Sequence, residues 1–423
     1  METEAAKIEK TVEISPKKIG IVILAILAIA GAFLITHREN KPPVADFQLT
    51  KDCYDYLPCQ FDATKSYDPD GKIVSYTWQA NGGRSATIPV PLTIGVFKEG
   101  LNNALLIVTD DKGLSGSTTK GFTVNPQYEL KIPSASTKEE QIKLIKSLCK
   151  SPIKTTNYVN YYNGYIDDMH VHLIPGQEPY NYTIALLTAA NEFGVKRMAL
   201  RQYGAGVEGD RNYERENDKL VSEIAGLCPE RFDPFLAAVY PDDTSSVEYV
   251  KKSLGEYPWR GVGEIYIKNK LHGGYYTKEI STLANTSTMI QIYKMLAERN
   301  IPFHFHLDAS TKEDVEAIKQ AMKENPDTIF IWAHTCNGRP ELTDEFKNLY
   351  CESELTLNNT LAVQIYSDKT ILGTDASVIS DNVSLTQDFH FIIESSRSVL
   401  LGNRIEEADL VAHGNYEKAV GAK

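Results

Sequence analysis

His170 and His172 stand two residues apart in Ile166-Asp-Asp-Met-His-Val-His172, and groups of the same chemical kind close short apolar runs further on. Glu264 ends Gly-Val-Gly-Glu, His306 ends Ile-Pro-Phe-His-Phe-His, His334 ends Ile-Phe-Ile-Trp-Ala-His, and Asp375 ends Ile-Leu-Gly-Thr-Asp. Imidazoles and carboxylates delivered from the ends of successive strands are the ligands a hydrolytic divalent-metal site needs. Such an ion lowers the pKa of its water towards about 7. A carboxylate beside it can accept the water's proton and pass it to a leaving group, and Asp375 is the candidate for that role. Zn²⁺ fits this donor set best, as one ion or two, with Mn or Fe as alternatives. Read without a metal, the histidines would be satisfied core residues and Glu264 a cap or an ion-pair partner.

The elements that must carry these groups are legible as apolar runs alternating with amphipathic stretches. Candidate strands lie at 165–169, 197–201, 235–239, 261–265, 302–305, 329–333, 349–351 and 370–373, with helical stretches at 182–193, 214–227, 286–299 and 312–324 between them. Repeated strand–helix units point to an α/β fold, a (β/α)8 TIM barrel over 161–423. An open doubly wound sheet is the competing architecture, but no glycine-rich phosphate loop accompanies the strands. The distance from His334 to Asp375 is short for two full units, so helix 6 or 7 should be abbreviated. Residues i and i+2 of a strand share a face, so His170 and His172 point together. His304 and His306 pair likewise, with His306 nearer the strand end and His304 behind it. Substrate contacts are expected from Arg201, Tyr203, Tyr266, Asn337 and Arg339, on the βα side of the strands. His272, His390 and His413 read as surface or packing residues.

The ordered motifs resemble the amidohydrolase superfamily, and within it the amidohydrolase-related (amidohydrolase 2) family, over roughly 165–421. Asp168-Met-His-Val-His172 is similar to the strand-1 signature, His306 to the strand-5 ligand, His334 to the strand-6 histidine and Gly373-Thr-Asp375 to the strand-8 aspartate. The tail Val411-Ala-His-Gly-Asn-Tyr-Glu-Lys-Ala-Val420 resembles the family's terminal helix. The resemblance implies His170, His172, Glu264, His306, His334 and Asp375 as metal ligands, with Asp375 and His334 catalytic. Gly-Val-Gly-Glu264-Ile-Tyr looks like the version in which a strand-4 glutamate bridges two metals. In relatives with one metal that position is unliganded and the strand-6 histidine polarises the substrate.

Residues 42–126 read as short strands punctuated by turns, with Asp68-Pro-Asp-Gly71 the strongest turn signal. That pattern suggests an immunoglobulin-like β-sandwich. Ser66-Tyr-Asp-Pro-Asp-Gly-Lys-Ile-Val-Ser-Tyr-Thr-Trp78 and Val108-Thr-Asp-Asp-Lys-Gly-Leu-Ser115 resemble the polycystic kidney disease (PKD) domain, a family of spacers and adhesion modules. Asp68 and Asp70 read as turn-formers. A connector at 127–160 contains a capping box, Ser136-Thr-Lys-Glu139, ahead of Ile142, Leu144, Ile145 and Leu148 at helical spacing.

Residues 19–36 carry no charge and just suffice to cross a hydrocarbon layer of roughly 30 Å. They are expected to anchor the chain in the cell membrane, with 1–18 as a cytoplasmic tail and the remainder outside. The competing expectation is a cleaved signal peptide and a secreted protein, since Ala28-Ile29-Ala30 offers a small-x-small site. Cys53 and Cys59 are expected to pair, and Cys149, Cys228, Cys336 and Cys351 to be buried small hydrophobes. The net charge of −12 argues against a nucleic-acid partner, which needs a basic face.

The expected activity is therefore hydrolysis of an amide, ester, lactone or related bond in a small molecule at the cell surface, with surface contacts through the PKD-like segment. A one-metal non-oxidative decarboxylase and a non-catalytic adhesion or scaffold protein are the alternatives.

Overall fold

The computed structural model describes residues 39–156, 162–173, 178–202, 211–269, 280–355, 366–376, 382–400 and 405–421. The apolar segment 19–36 lies outside them; among the described residues no helix is long and apolar enough to cross a membrane.

The N-terminal β-sandwich contains two sheets. Gln48–Leu49, Pro58–Asp62 and Leu92–Val96 pair antiparallel in one. The other runs in the order Cys53–Tyr54, Ser115–Asn125, Gly100–Asp110, Ile73–Ala80, Ser85–Ile88. Along Gly100–Asp110, Ala104, Leu106, Val108 and Asp110 are buried at every second position, the period a half-buried strand imposes. Phe47 meets Trp78 edge to face at 5.2 Å, and Phe61, Phe97 and Phe122 form a second set of edge-to-face contacts at 5.0–5.7 Å. The Asp68 carboxylate accepts the Asp70 amide at 3.2 Å, as the turn reading requires.

The connector helix Lys138–Cys149 begins one residue later than the sequence suggests. Thr137 accepts the Glu140 amide and Glu140 accepts the Thr137 amide in return, so the capping box is Thr137 with Glu140. The shift lays Ile145 and Cys149 against the core.

Eight parallel strands follow, which we number β1 to β8: Ile166–His172, Val195–Arg201, Phe232–Leu236, Gly261–Asn269, Phe303–Leu307, Phe330–Trp332, Leu349–Ser353 and Thr370–Leu372. They are hydrogen-bonded in that order. The sheet closes where Val171 of β1 bridges Ala376, just past β8, with His172 N donating to Ala376 O at 2.9 Å. The ring is thus near-closed, as a TIM barrel demands. β4 carries a short antiparallel partner, Ile280–Ser281. Helices Pro179–Phe193, Arg211–Leu227, Ser245–Glu256, Ser287–Ala297 and Lys312–Glu324 follow the first five strands. After β6 only the short helical segments Ala333–Gly338 and Leu342–Glu345 intervene, the expected abbreviation of helix 6. One end of the barrel is filled by Met169, Ala199, Phe235, Ile331 and Ile371 packed on Tyr416, Ala419 and Val420 of the terminal helix Asn415–Val420. Tyr416 donates its buried hydroxyl to Asp233 at 2.6 Å, which closes that end.

All six cysteines are paired, as Cys53–Cys59, Cys149–Cys228 and Cys336–Cys351, with Cα separations of 5.1, 5.8 and 5.0 Å. The first is the expected pair. The other four are not free hydrophobes, because helix and strand ends 79 and 15 residues apart in sequence meet only in the folded barrel.

Candidate metal centre

The candidate ligands lie at or near the ends of their strands, except Glu264, which lies within β4. His170 and His172 end β1 and are fully buried, Glu264 on β4 is 2% exposed, and Asp375 follows β8. Gly263 has φ +138°, and a Cβ there would strike the His304 carbonyl oxygen at 2.1 Å, so only glycine lets β4 approach β5 at this point. Asp375 lies in the left-handed region at φ 50°, which Asp tolerates better than most residues. Its position is locked through Thr374, whose amide and hydroxyl donate to Asp168 at 2.9 and 2.7 Å. Asp168 also accepts the His170 amide at 3.0 Å. Its carboxyl is pushed up to about 6 by burial, against those hydrogen bonds.

The side chains converge on two points. His170 Nε2 and His172 Nε2 face Asp375 Oδ1 at 3.4 and 3.2 Å, and Glu264 Oε2 at 3.3 and 3.8 Å. The other oxygen, Glu264 Oε1, faces His306 Nδ1 at 3.3 Å and His334 Nε2 at 3.6 Å. Ligands held tetrahedrally at about 2.1 Å from a zinc ion lie roughly 3.4 Å from one another. The observed separations fit that spacing.

Proton bookkeeping sharpens the fit. His170 Nδ1 is 3.1 Å from a Glu352 carboxylate oxygen and His172 Nδ1 is 3.1 Å from the Gln202 carbonyl. An ionised carboxylate and a carbonyl can only accept, so both Nδ1 atoms carry the ring proton. The two Nε2 lone pairs then face each other at 2.9 Å, an arrangement that needs a proton or a cation between them. Glu264 Oε1 is buried and receives no well-aligned hydrogen bond. Without an ion, protons compensate. Burial alone would lower His170, but Glu264, Asp375 and Glu352 outweigh it and lift it to about 10. Against the same burial penalty, His306 is raised by Asp308 and Glu264, and His334 is raised well above its ordinary value by Glu264 and Glu354. Burial works against ionisation of Glu264, yet the neighbouring histidines hold it well below the usual carboxylate range. The pocket favours positive charge, and its His and Glu side chains form groups that could hold a metal ion.

Arg201 is fully buried beneath this cluster, not at the mouth: its guanidinium donates to the Met169 carbonyl and contacts His304 Nδ1. His304 is held neutral, at about 3, by burial and by that cation. Tyr266 is buried with its ring edge-on to His306 at 5.5 Å. Arg339 donates to Asn337 O at 2.9 Å and to Ala309 O at 2.9 Å, clamping the segment after His334. Tyr203 and His272 lie outside the described residues, while His390 stacks on Phe193 at 3.8 Å.

Three residues of the cluster escaped the sequence reading. Asp308 reaches His306 Nε2 at 3.2 Å, Glu352 reaches His170 and Glu354 reaches His334 Nδ1 at 3.1 Å. The last two were hidden because strand seven was expected to end at Cys351, whereas β7 runs to Ser353. The signal available was the Glu-Ser-Glu run itself.

Residues 40–125 match the PKD domain family. This segment is a PKD domain. It is similar to part of collagenase ColQ1 of Bacillus cereus (strain Q1), 36% identical over 86 residues, covering 20% of this chain and 9% of that protein. It is also similar to part of pre-pro-metalloprotease PrtV of Vibrio cholerae serotype O1, 36% identical over 98 residues, 23% of this chain and 10% of that one. The chain therefore spans about a tenth of the length of these relatives, and the likeness is that of the PKD domain. The barrel region aligns with 4-oxalomesaconate hydratase LigJ of Rhodopseudomonas palustris at 14% identity and a TM-score of 0.42, covering 60% of this chain and 95% of that one. Amidohydrolase map2389c of Mycobacterium avium subsp. paratuberculosis K-10 aligns at 14% identity and 0.37, over 56% and 73%.

Proposed function

We propose that the barrel is a metal-dependent hydrolase acting on an amide, ester, lactone or related bond, with two divalent ions bridged by Glu264. The observation that carries this reading is the division of Glu264: one oxygen turned to His170 and His172, the other to His306 and His334, at 3.3–3.8 Å. A glutamate that merely capped or paired would have no reason to stand between two imidazole pairs. Ions bound there would acidify a water and polarise the bond to be cleaved.

The chain's own groups supply the rest. Asp375 has a side chain 37% exposed, open to water on one side and set against both β1 histidines on the other. Burial opposes its ionisation, but His170 and His172 hold it below its ordinary value, so it is present as the base at neutral pH. In that role it accepts a proton from water and delivers it to the leaving group. His334, 33% exposed on its side chain, stands at the same open face and orients the substrate. Four histidines each commit their second nitrogen to an acceptor, which keeps the inward nitrogens aimed. The apolar stretch 19–36 and the disulfides support a protein anchored in the membrane with its PKD domain and barrel outside, the PKD domain serving surface contacts.

The test is metal content per full-length chain, with hydrolysis of an amide, ester and lactone panel, for the wild type, Glu264→Gln and Asp375→Asn. The reading expects two equivalents, falling to one or none in Glu264→Gln, and loss of turnover in Asp375→Asn. One equivalent untouched by Glu264→Gln would shift the assignment to a one-metal decarboxylase. No uptake of Zn²⁺ or Mn²⁺ would leave a surface scaffold.

A further inference from the structure

Beyond β6 the chain enters an uncommon turn. His334, Thr335, Cys336 and Asn337 have φ between 50 and 55°, four consecutive non-glycine residues in the left-handed region. Such a turn persists only where its surroundings over-determine it. Here the end of β7 does so residue by residue. Glu354 meets His334 Nδ1 at 3.1 Å, Thr335 Oγ1 meets Ser353 Oγ at 2.9 Å, and Cys336 is bonded to Cys351.

The same strand end reaches the other half of the centre. Glu352 is fully buried, and its Oε2 takes the Nδ1 proton of His170 at 3.1 Å. Gly373 makes the space for it, since a Cβ there would lie 2.2 Å from Glu352 Oε1. Behind it stands the neutral His304, its Nε2 3.7 Å from Glu352 Oε2, backed by Arg201. Residues 352 and 354 share one face of the chain as it leaves the strand. One carboxylate therefore addresses the histidine of the first ligand group, and the other a histidine of the second.

We propose that Glu352 and Glu354 are positioning residues, each fixing the tautomer and ring orientation of one metal-facing histidine, so that the end of β7 aligns both halves of the centre. This rests on the metal-site reading above. An anionic acceptor on Nδ1 leaves the opposite nitrogen as a lone pair aimed inward and strengthens it as a ligand. Losing such a partner typically weakens metal binding about 10–100-fold.

The test uses the full-length chain with Glu352→Gln, Glu352→Ala, Glu354→Gln and Glu354→Ala. Zn²⁺ affinity is measured by competition with a chromophoric chelator, and the ring Nδ1–H signals are followed by ¹H–¹⁵N NMR with and without Zn²⁺. Glu354→Ala should weaken one equivalent by about 10–100-fold, leave the other unchanged, and remove the His334 Nδ1–H signal. Glu354→Gln, which keeps an acceptor oxygen, should restore the signal and part of the affinity. Glu352→Ala should act in the same way on the other equivalent and on His170. If Glu352→Ala does not fold, the partly exposed Glu354 pair decides the matter. Unchanged affinity and unchanged ring signals in the alanine variants would overturn the proposal. If the wild type takes up no Zn²⁺, the hydrolase reading fails, while the ring signals of the metal-free protein still decide the positioning roles.

Discussion

Cys149–Cys228 and Cys336–Cys351 should behave oppositely when removed. The first closes a 79-residue separation, the second 15. Loop-closure entropy gives about 4.5 kcal/mol for the long loop and about 3 kcal/mol for the short one. The long loop joins the connector helix to the end of Arg211–Leu227, away from the metal-facing side chains. The short one ties down the left-handed turn that carries His334. Four non-glycine residues held left-handed cost on the order of 4–8 kcal/mol together. Without the covalent link, Thr335, Glu354 and the Arg339 clamp alone hold that turn, so His334 should be placed less firmly. The paired serine variants Cys149→Ser/Cys228→Ser and Cys336→Ser/Cys351→Ser would be compared by urea unfolding without reductant. Tryptophan fluorescence reports on the barrel through Trp259 and the fully buried Trp332. Zn²⁺ competition would be run alongside. The long-loop variant should lose more stability and keep wild-type metal affinity; the short-loop variant should lose less stability and bind one equivalent more weakly. A larger stability loss for the short loop would refute the loop-length argument. Unchanged Zn²⁺ binding in the short-loop variant would refute the claim that β7 holds His334 in place.

Three further outcomes are expected. Asp167 is buried, and desolvation lifts its carboxyl to about 7 against the pull of Lys196. A carboxyl raised on folding contributes stability below the unfolded value of about 4 that is lost as pH climbs to 7. Asp167→Asn should therefore gain about 4 kcal/mol over wild type at pH 8 and nothing at pH 3.5; parallel pH–stability curves would contradict it. Gly373→Ala places a methyl 2.2 Å from Glu352 Oε1 and should weaken Zn²⁺ binding about tenfold or more, as calorimetry would register. Thr374→Val removes the hydroxyl that donates to the buried Asp168 carboxylate at 2.7 Å and should cost about 1–3 kcal/mol in urea unfolding.

The barrel was readable because its strands are apolar runs between amphipathic helices, and each of the eight falls within a few residues of its expected place. Helix Lys312–Glu324 has the expected bounds because Thr311 and Asp314 form a local capping box. Where two adjacent residues could both cap, as at Ser136 and Thr137, pattern alone chose the wrong one. Cys149, Cys228, Cys336 and Cys351 were misread because their partners are set by packing, not by spacing. Arg201 was expected at the mouth from its place at a strand end. Its burial follows from the inward alternation of β2, which turns the guanidinium under His304.

What the sequence determined by itself was the set of side chains that could meet: His170, His172, Glu264, His306, His334 and Asp375 each close a short apolar run, and a parallel barrel sets such runs side by side. Local periodicity suffices for that. Only the tertiary structure decided which nitrogen of each histidine faces inward. His170 is turned by Glu352, 182 positions away, and Glu264 divides its oxygens between two groups only once β1, β5 and the turn after β6 surround it. Those choices are hydrogen bonds across barrel closure, and nothing in the spacing of residues along one strand encodes them.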